Sequence, residues 1–148
     1  MIFVIVLVFV VLVVSFFQPL FLRRSYIDRV SRLDIPRTAQ IIEYRFGIRY
    51  FDISPFFTKL QLNEEEFNIL RGYFSNQERF RQEHISAFNR MKRDFNYTSV
   101  NIDNIAEIWL RDRMTSTNSF LVGSTRVIYN ILITTNEGKH FLYVFYLR

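Results

Sequence analysis

TRVIYNILITTNEGKHFLYVFYL, running from Thr125 to Leu147, decides the fold. Two runs rich in β-branched and aromatic residues, Thr125–Thr135 and Lys139–Leu147, flank Asn136-Glu137-Gly138. Glycine supplies the positive φ that a tight connection needs, so the stretch predicts an antiparallel hairpin. Both runs are apolar on both faces in places. One face is expected against helices. The other is expected to lie under loops or to meet a membrane or a partner.

Upstream of the hairpin, Met114–Ser119 is polar and predicts a loop. Asp103–Asp112 supports two patterns. Ile105 with Ile108 and Trp109 fits a short helix capped by Asp103, whereas Ala106, Ile108 and Leu110 fit a strand. The helix is preferred here. Asn96–Asn104 is polar and turn-like. Phe80, His84, Phe88, Met91 and Phe95 recur at near-helical intervals, predicting a helix over about Gln77–Asp94. Asn63-Glu64-Glu65-Glu66 opens another. Asn63 can cap, Glu66 stands where a capping box needs it, and three carboxylates oppose the positive end of the helix dipole. That helix runs to about Phe74 and buries Phe67, Leu70 and Phe74.

Before it, Phe56–Leu62 alternates as a strand, with Phe56, Thr58, Leu60 and Leu62 on one face and Lys59 and Gln61 on the other. Thr38–Phe46 does the same, with Ile42, Tyr44 and Phe46 opposed to Glu43 and Arg45, and Gly47 breaks it. Ile48–Pro55 is aromatic and irregular, an expected loop or short edge segment. Helices between strand pairs predict an α+β domain over residues 38–148: an antiparallel sheet of about four strands with helices packed on one face.

The chain begins MIFVIVLVFVVLVVSFFQPLFL, and residues 1–22 carry no charged side chain. As a helix this run would extend about 33 Å, enough to cross a hydrocarbon core of about 30 Å. It predicts an uncleaved single-pass transmembrane anchor. The apolar run is longer than a signal peptide's, no Lys or Arg precedes it, and no small-residue cleavage site follows. Residues 23–37 then read as a basic juxtamembrane stalk, in which Leu22, Tyr26, Ile27, Val30 and Leu33 keep a helical spacing until Asp34-Ile35-Pro36 ends it. The positive-inside bias of Arg23, Arg24, Arg29 and Arg32 favours a cytoplasmic domain at a cell membrane.

Ile35-Pro36-Arg37-Thr38-Ala39-Gln40-Ile41-Ile42-Glu43-Tyr44, followed by Phe57-Thr58-Lys59-Leu60-Gln61-Leu62-Asn63-Glu64-Glu65-Glu66-Phe67, resembles small bacterial membrane-anchored proteins and lipoproteins. In those a Pro precedes a first strand, a second strand follows, and an acidic-capped helix comes next. The closing Tyr129-Asn130-Ile131-Leu132 and Tyr143-Val144-Phe145-Tyr146 fit the same layout. The resemblance implies an architecture and surface anchoring, and no activity. The chain departs from the lipoproteins in having no cysteine to lipidate.

Composition narrows the chemistry. Of 148 residues, the 126 after the apolar run are enough for one compact domain. The net charge of +5 lies entirely within them. Without cysteine there is no disulfide, thiolate metal site or cysteine nucleophile. The two histidines, His84 and His140, lack the H-E-x-x-H spacing of a metal site, and each reads as structural. Glu64-Glu65-Glu66 is explained by capping. Nothing fixes Asp103 and Asp112 as a catalytic pair, and Gly123-Ser124-Thr125 lacks the pattern of a nucleophile elbow. Arg79, Arg81, Arg90, Lys92 and Arg93 interleave with Phe80, Phe88 and Phe95. Glu78, Glu83 and Asp94 balance them as the charged face of a helix, so nucleic-acid binding is not expected.

No catalytic residue, metal ligand or cofactor site emerges. The leading expectation is a non-enzymatic binding or interaction module at a membrane surface, with a protein partner or the bilayer as its target. The aromatic excess of Ile48–Phe57 supports contact with a partner. The alternatives are a membrane-anchored hydrolase-like enzyme, which would need His84 or His140 beside a carboxylate in a pocket, or an accessory subunit of a membrane complex.

Overall fold

The computed structural model describes residues 4–11, 13, 23–49, 52–75, 89, 93, 104–117 and 124–147. Five strands form one antiparallel sheet: β1 (Gln40–Arg49), β2 (Asp52–Leu62), β3 (Ile105–Thr117), β4 (Ser124–Thr135) and β5 (His140–Leu147). Two helices join them, α1 (Arg23–Ser31) and α2 (Glu64–Phe74). The strand order is β1-β2-β5-β4-β3, so β5 inserts between β2 and β4.

The hairpin forms as its sequence predicts. Gly138 has φ +74°, and the Gly138 amide donates to the Thr135 carbonyl at 2.9 Å. The capping box is also present. Asn63 Oδ1 accepts from the Glu66 amide at 2.8 Å, and Glu66 Oε2 accepts from the Asn63 amide at 2.7 Å. Glu66 also accepts from the Thr38 hydroxyl, so one carboxylate fixes both the helix start and the entry to β1.

Pairing register assigns each side chain to a face. The first face carries Phe56, Leu60 and Leu62 of β2, Leu142, Val144 and Tyr146 of β5, and Ile128 and Leu132 of β4. Both helices pack here, through Tyr26 and Ile27 of α1 and Phe67, Leu70 and Phe74 of α2. Each such side chain removed from water contributes roughly 1.5–3 kcal/mol. The opposite face carries Phe57, Tyr143, Phe145, Ile131, Ile133, Ile108 and Leu110, and these too are buried.

Residues 23–37, expected as a stalk, lie against the sheet. Tyr26, Ile27, Leu33 and Ile35 are buried in the helix-side core. Arg24 donates to the Ala39 carbonyl at 2.9 Å and the Ile35 carbonyl at 3.1 Å, binding the turn after α1 to the helix. Arg32 takes a left-handed conformation, φ 53°, where the helix ends.

The transmembrane expectation is corrected. Among the described residues, no helix is long and apolar enough to cross a membrane. Residues 4–11 and 13 are helical, with exposed apolar side chains. An uncharged run of 22 residues records hydropathy, which does not by itself specify a continuous spanning helix. The cell-membrane location inferred from that anchor falls with it.

The sheet also has five strands where about four were expected. Residues 105–112, expected as a helix, form the first part of β3, which continues through Met114–Thr117 where a loop was expected. Ile108 and Leu110 are buried on one face while Trp109 packs on the other. An extended chain serves both cores at once; a helix would serve one. Gly47 does not end β1. A register shift between Phe46 and Ile48 accommodates it, and the strand runs on to Arg49 opposite Asp52. A second shift between Ile41 and Glu43 places Ile41 against the core and leaves Ile42 51% exposed, reversing the expected face of Ile42. The helix expected over 77–94 lies outside the described residues, apart from helical Asn89 and Arg93.

Candidate functional site

The turn end of the second face holds a concavity of about 300 Å3. Its floor is Ile133, Phe141 and Tyr143, and Lys59 stands at one side. Asn104, Ile105, Thr135, Asn136, Glu137 and Lys139 form the rim around the β4–β5 turn. Four strands contribute to one small volume because β5 lies between β2 and β4. Lys59 pairs with Tyr143, Tyr143 with Ile131, and Ile133 with Phe141, which aligns the lysine with the aromatic row of β5.

Lys59 is half-buried. Its Nζ lies 4.3 Å from the centroid of Phe141 and 5.5 Å from that of Tyr143. Cation–π attraction holds the ammonium over these rings, and among the described residues no hydrogen-bond acceptor reaches its N–H donors. Burial pushes the Lys59 pKa down, and the nearby Glu43 carboxylate acts in the opposite direction. Glu43 itself is engaged by Arg45. No ion pair to Lys59 is present among the described residues.

The rim is tied down by hydrogen bonds. The Asn136 amide donates to the Asn104 carbonyl at 2.9 Å, joining the turn to the start of β3. The Thr135 hydroxyl oxygen accepts from the Lys139 amide at 3.2 Å, which leaves its own proton free to donate. Lys139 Nζ and Glu137 Oε2 form an exposed ion pair at 2.8 Å. That pair raises the lysine pKa and lowers that of the carboxylate. With Glu137 neutralised in this way, the concavity keeps one positive charge, that of Lys59.

The residues singled out in the sequence fall elsewhere. His140 lies on the helix side, stacked on Phe67 at 4.4 Å, with Nδ1 3.0 Å from the Thr134 hydroxyl. No carboxylate contacts its ring among the described residues. Glu66 of the acidic run is occupied in capping. Phe56 and Phe57, at the end of the aromatic stretch, are buried on opposite faces. His84, Asp103 and Gly123 lie outside the described residues, as do Arg79, Arg81, Arg90 and Lys92; the Asp112 side chain is likewise undescribed. Among the described residues, no group of three His, Asp or Glu side chains is placed to hold a metal ion.

A second polar cluster joins α2 to the edge strand β3. Arg71 pairs with Glu107 at 3.0 Å and lies 5.4 Å over the Trp109 ring, while Trp109 Nε1 donates to Glu107. The three groups satisfy one another and form no cavity among the described residues.

Sequence reasoning placed Lys59 with Gln61 on the strand face opposite Leu60 and did not connect it with Phe141 or Tyr143. The available signal was the aromatic alternation of Phe141, Tyr143 and Phe145, which only strand order places beside Lys59. The chain matches no protein-family model, no curated protein and no solved structure, so the interpretation of this concavity rests on its geometry alone.

Proposed function

We propose that the α+β domain is a non-enzymatic binding module that receives its ligand in the concavity at the β4–β5 turn. The supporting observation is the composition of that volume: an apolar aromatic floor, one half-buried ammonium, and a hydroxyl and amides at the rim. Ligand pockets have this make-up, with mostly apolar walls and a few fixed polar groups that orient what binds. Its size, about 300 Å3, is at the lower end of the usual range. No histidine or cysteine lines it, and among the described residues no histidine or carboxylate is hydrogen-bonded to the Thr135 hydroxyl, which accepts from the Lys139 amide.

A panel of anionic, neutral and cationic aromatic fragments, titrated into 15N-labelled protein, tests this. Saturable amide shifts clustered on Thr135–Phe141 for at least one class are the expected result. Shifts scattered over the surface, or none for any class, would remove the proposal.

A further inference from the structure

We infer that the ligand is a small carboxylate with a flat apolar body, its carboxylate on Lys59 and its body against Phe141. This rests on the binding-module reading above and specifies its ligand.

Three features of the concavity carry the inference. Lys59 supplies charge at a fixed place, because the two rings beneath it restrict where the ammonium sits. Cation–π contacts occupy one side of the group, and a carboxylate arriving from the open side would supply the charged acceptor that the rings do not. Thr135 supplies the second contact. Its oxygen already accepts from the Lys139 amide, and its O–H can donate to an anion. The floor supplies the shape. Phe141, half-buried and backed by the buried Tyr143 and Ile133, presents apolar surface in the concavity, which favours a ring or short flat chain over a fully hydrated ion such as phosphate.

Two acidic groups lie nearby, one of them Glu43 opposite Lys59 in the β1–β2 register, and each has a basic partner. Glu137 is held by Lys139 on the rim, and Glu43 is held by Arg45. The backbone hydrogen bond from Asn136 to Asn104 fixes the opening, so the site needs little rearrangement to accept a ligand.

Benzoate, benzyl alcohol and inorganic phosphate, each titrated into the intact 15N-labelled protein, separate the possibilities. Benzoate is expected to shift the amides of Thr135–Phe141 saturably and to bind roughly ten-fold more tightly than benzyl alcohol, with phosphate weaker still. Lys59→Met should lower benzoate affinity by about ten-fold and leave benzyl alcohol unchanged. Unchanged amide positions away from the turn would show that the variant is folded. Thr135→Val, a milder change, should lower benzoate affinity several-fold. Equal binding of benzoate and benzyl alcohol, or benzoate binding indifferent to Lys59→Met, would overturn the carboxylate assignment while leaving a binding module. Tighter binding of phosphate than of benzoate would overturn the apolar body. If benzoate does not bind while another fragment class shifts the turn, only the carboxylate assignment fails. If no class shifts it, both fail.

Discussion

The two faces of the sheet are built from the same strands yet hold their polar groups differently. On the helix side, buried polar atoms connect one element to another. Asn130 Nδ2 donates to the Ser31 carbonyl at 2.9 Å, tying β4 to the end of α1. Thr58 donates to the Glu43 carbonyl at 2.8 Å, tying β2 to β1. Thr38 and Glu66 join β1 to α2. On the opposite face, the half-buried ammonium of Lys59 rests on aromatic rings and, among the described residues, links no elements by a hydrogen bond. The first arrangement spends its polar groups on assembly. The second leaves a charged group over aromatic rings, and the proposed binding site is placed there on that difference.

Adjacent residues of β2 offer the sharpest way to break this comparison. Leu60 is fully buried on the helix side, and Leu60→Ala should cost about 2–5 kcal/mol in urea unfolding. Lys59→Met, one residue away on the other face, should change stability by less than about 1 kcal/mol, because methionine keeps most of the apolar stem and removes a partly desolvated charge. Comparable losses in both variants would mean that Lys59 is an assembly residue after all.

Asn130→Asp probes the connecting role of the helix-side polar groups. The substitution replaces an N–H donor by a carboxylate facing the Ser31 carbonyl, with about 2–3 kcal/mol of destabilisation expected from thermal or chemical melts. A wild-type melting curve would deny the Asn130 contact its role in holding α1. Asn63→Ala should cost about 1 kcal/mol by removing one half of the capping box, and hydrogen exchange should rise first in the leading turn of α2.

The smallest effect concerns pH. Burial raises the Tyr44 pKa from 10.0 to about 12, with Arg23 acting against it. The folded state therefore keeps this proton longer than the unfolded chain does. The associated stability is present below pH 10 and is lost as pH rises toward 12. Tyr44 is about half exposed, so solvent screening limits the contribution to about 1 kcal/mol or less. Tyr44→Phe should flatten that part of the alkaline denaturation profile. An unchanged slope between pH 10 and 12 would assign the loss to other groups.

Local chemistry was legible in the sequence; assembly was not. The β4–β5 turn, the Asn63–Glu66 box and the alternation of Phe56–Leu62 each depend on residues within a few positions of one another, and each is found. Residues 105–110 carried both periodicities, and pairing with β4 chose the strand. Ile42 kept strict alternation with Tyr44 and Phe46, but a one-residue irregularity turned it outward, which no count of polar and apolar positions can register. The apolar run at the start was read as a membrane span, and among the described residues no helix is long and apolar enough to cross a membrane. The concavity was hidden for a related reason. Its residues come from 59, 104–105, 133–139 and 141–143, and only the insertion of β5 between β2 and β4 brings them together.

That insertion also sets an order of events. β1 with β2, and β3 with β4, can each pair as soon as both members leave the ribosome. Of these five strands β5 is synthesised last, and it joins the two pairs, across a separation as long as Leu62 to His140. Until it arrives, β2 and β4 each present an unpaired inner edge, the kind of surface that recruits strands from other chains. A nascent chain stalled before His140 would be two sticky halves, and a single late strand converts them into one sheet.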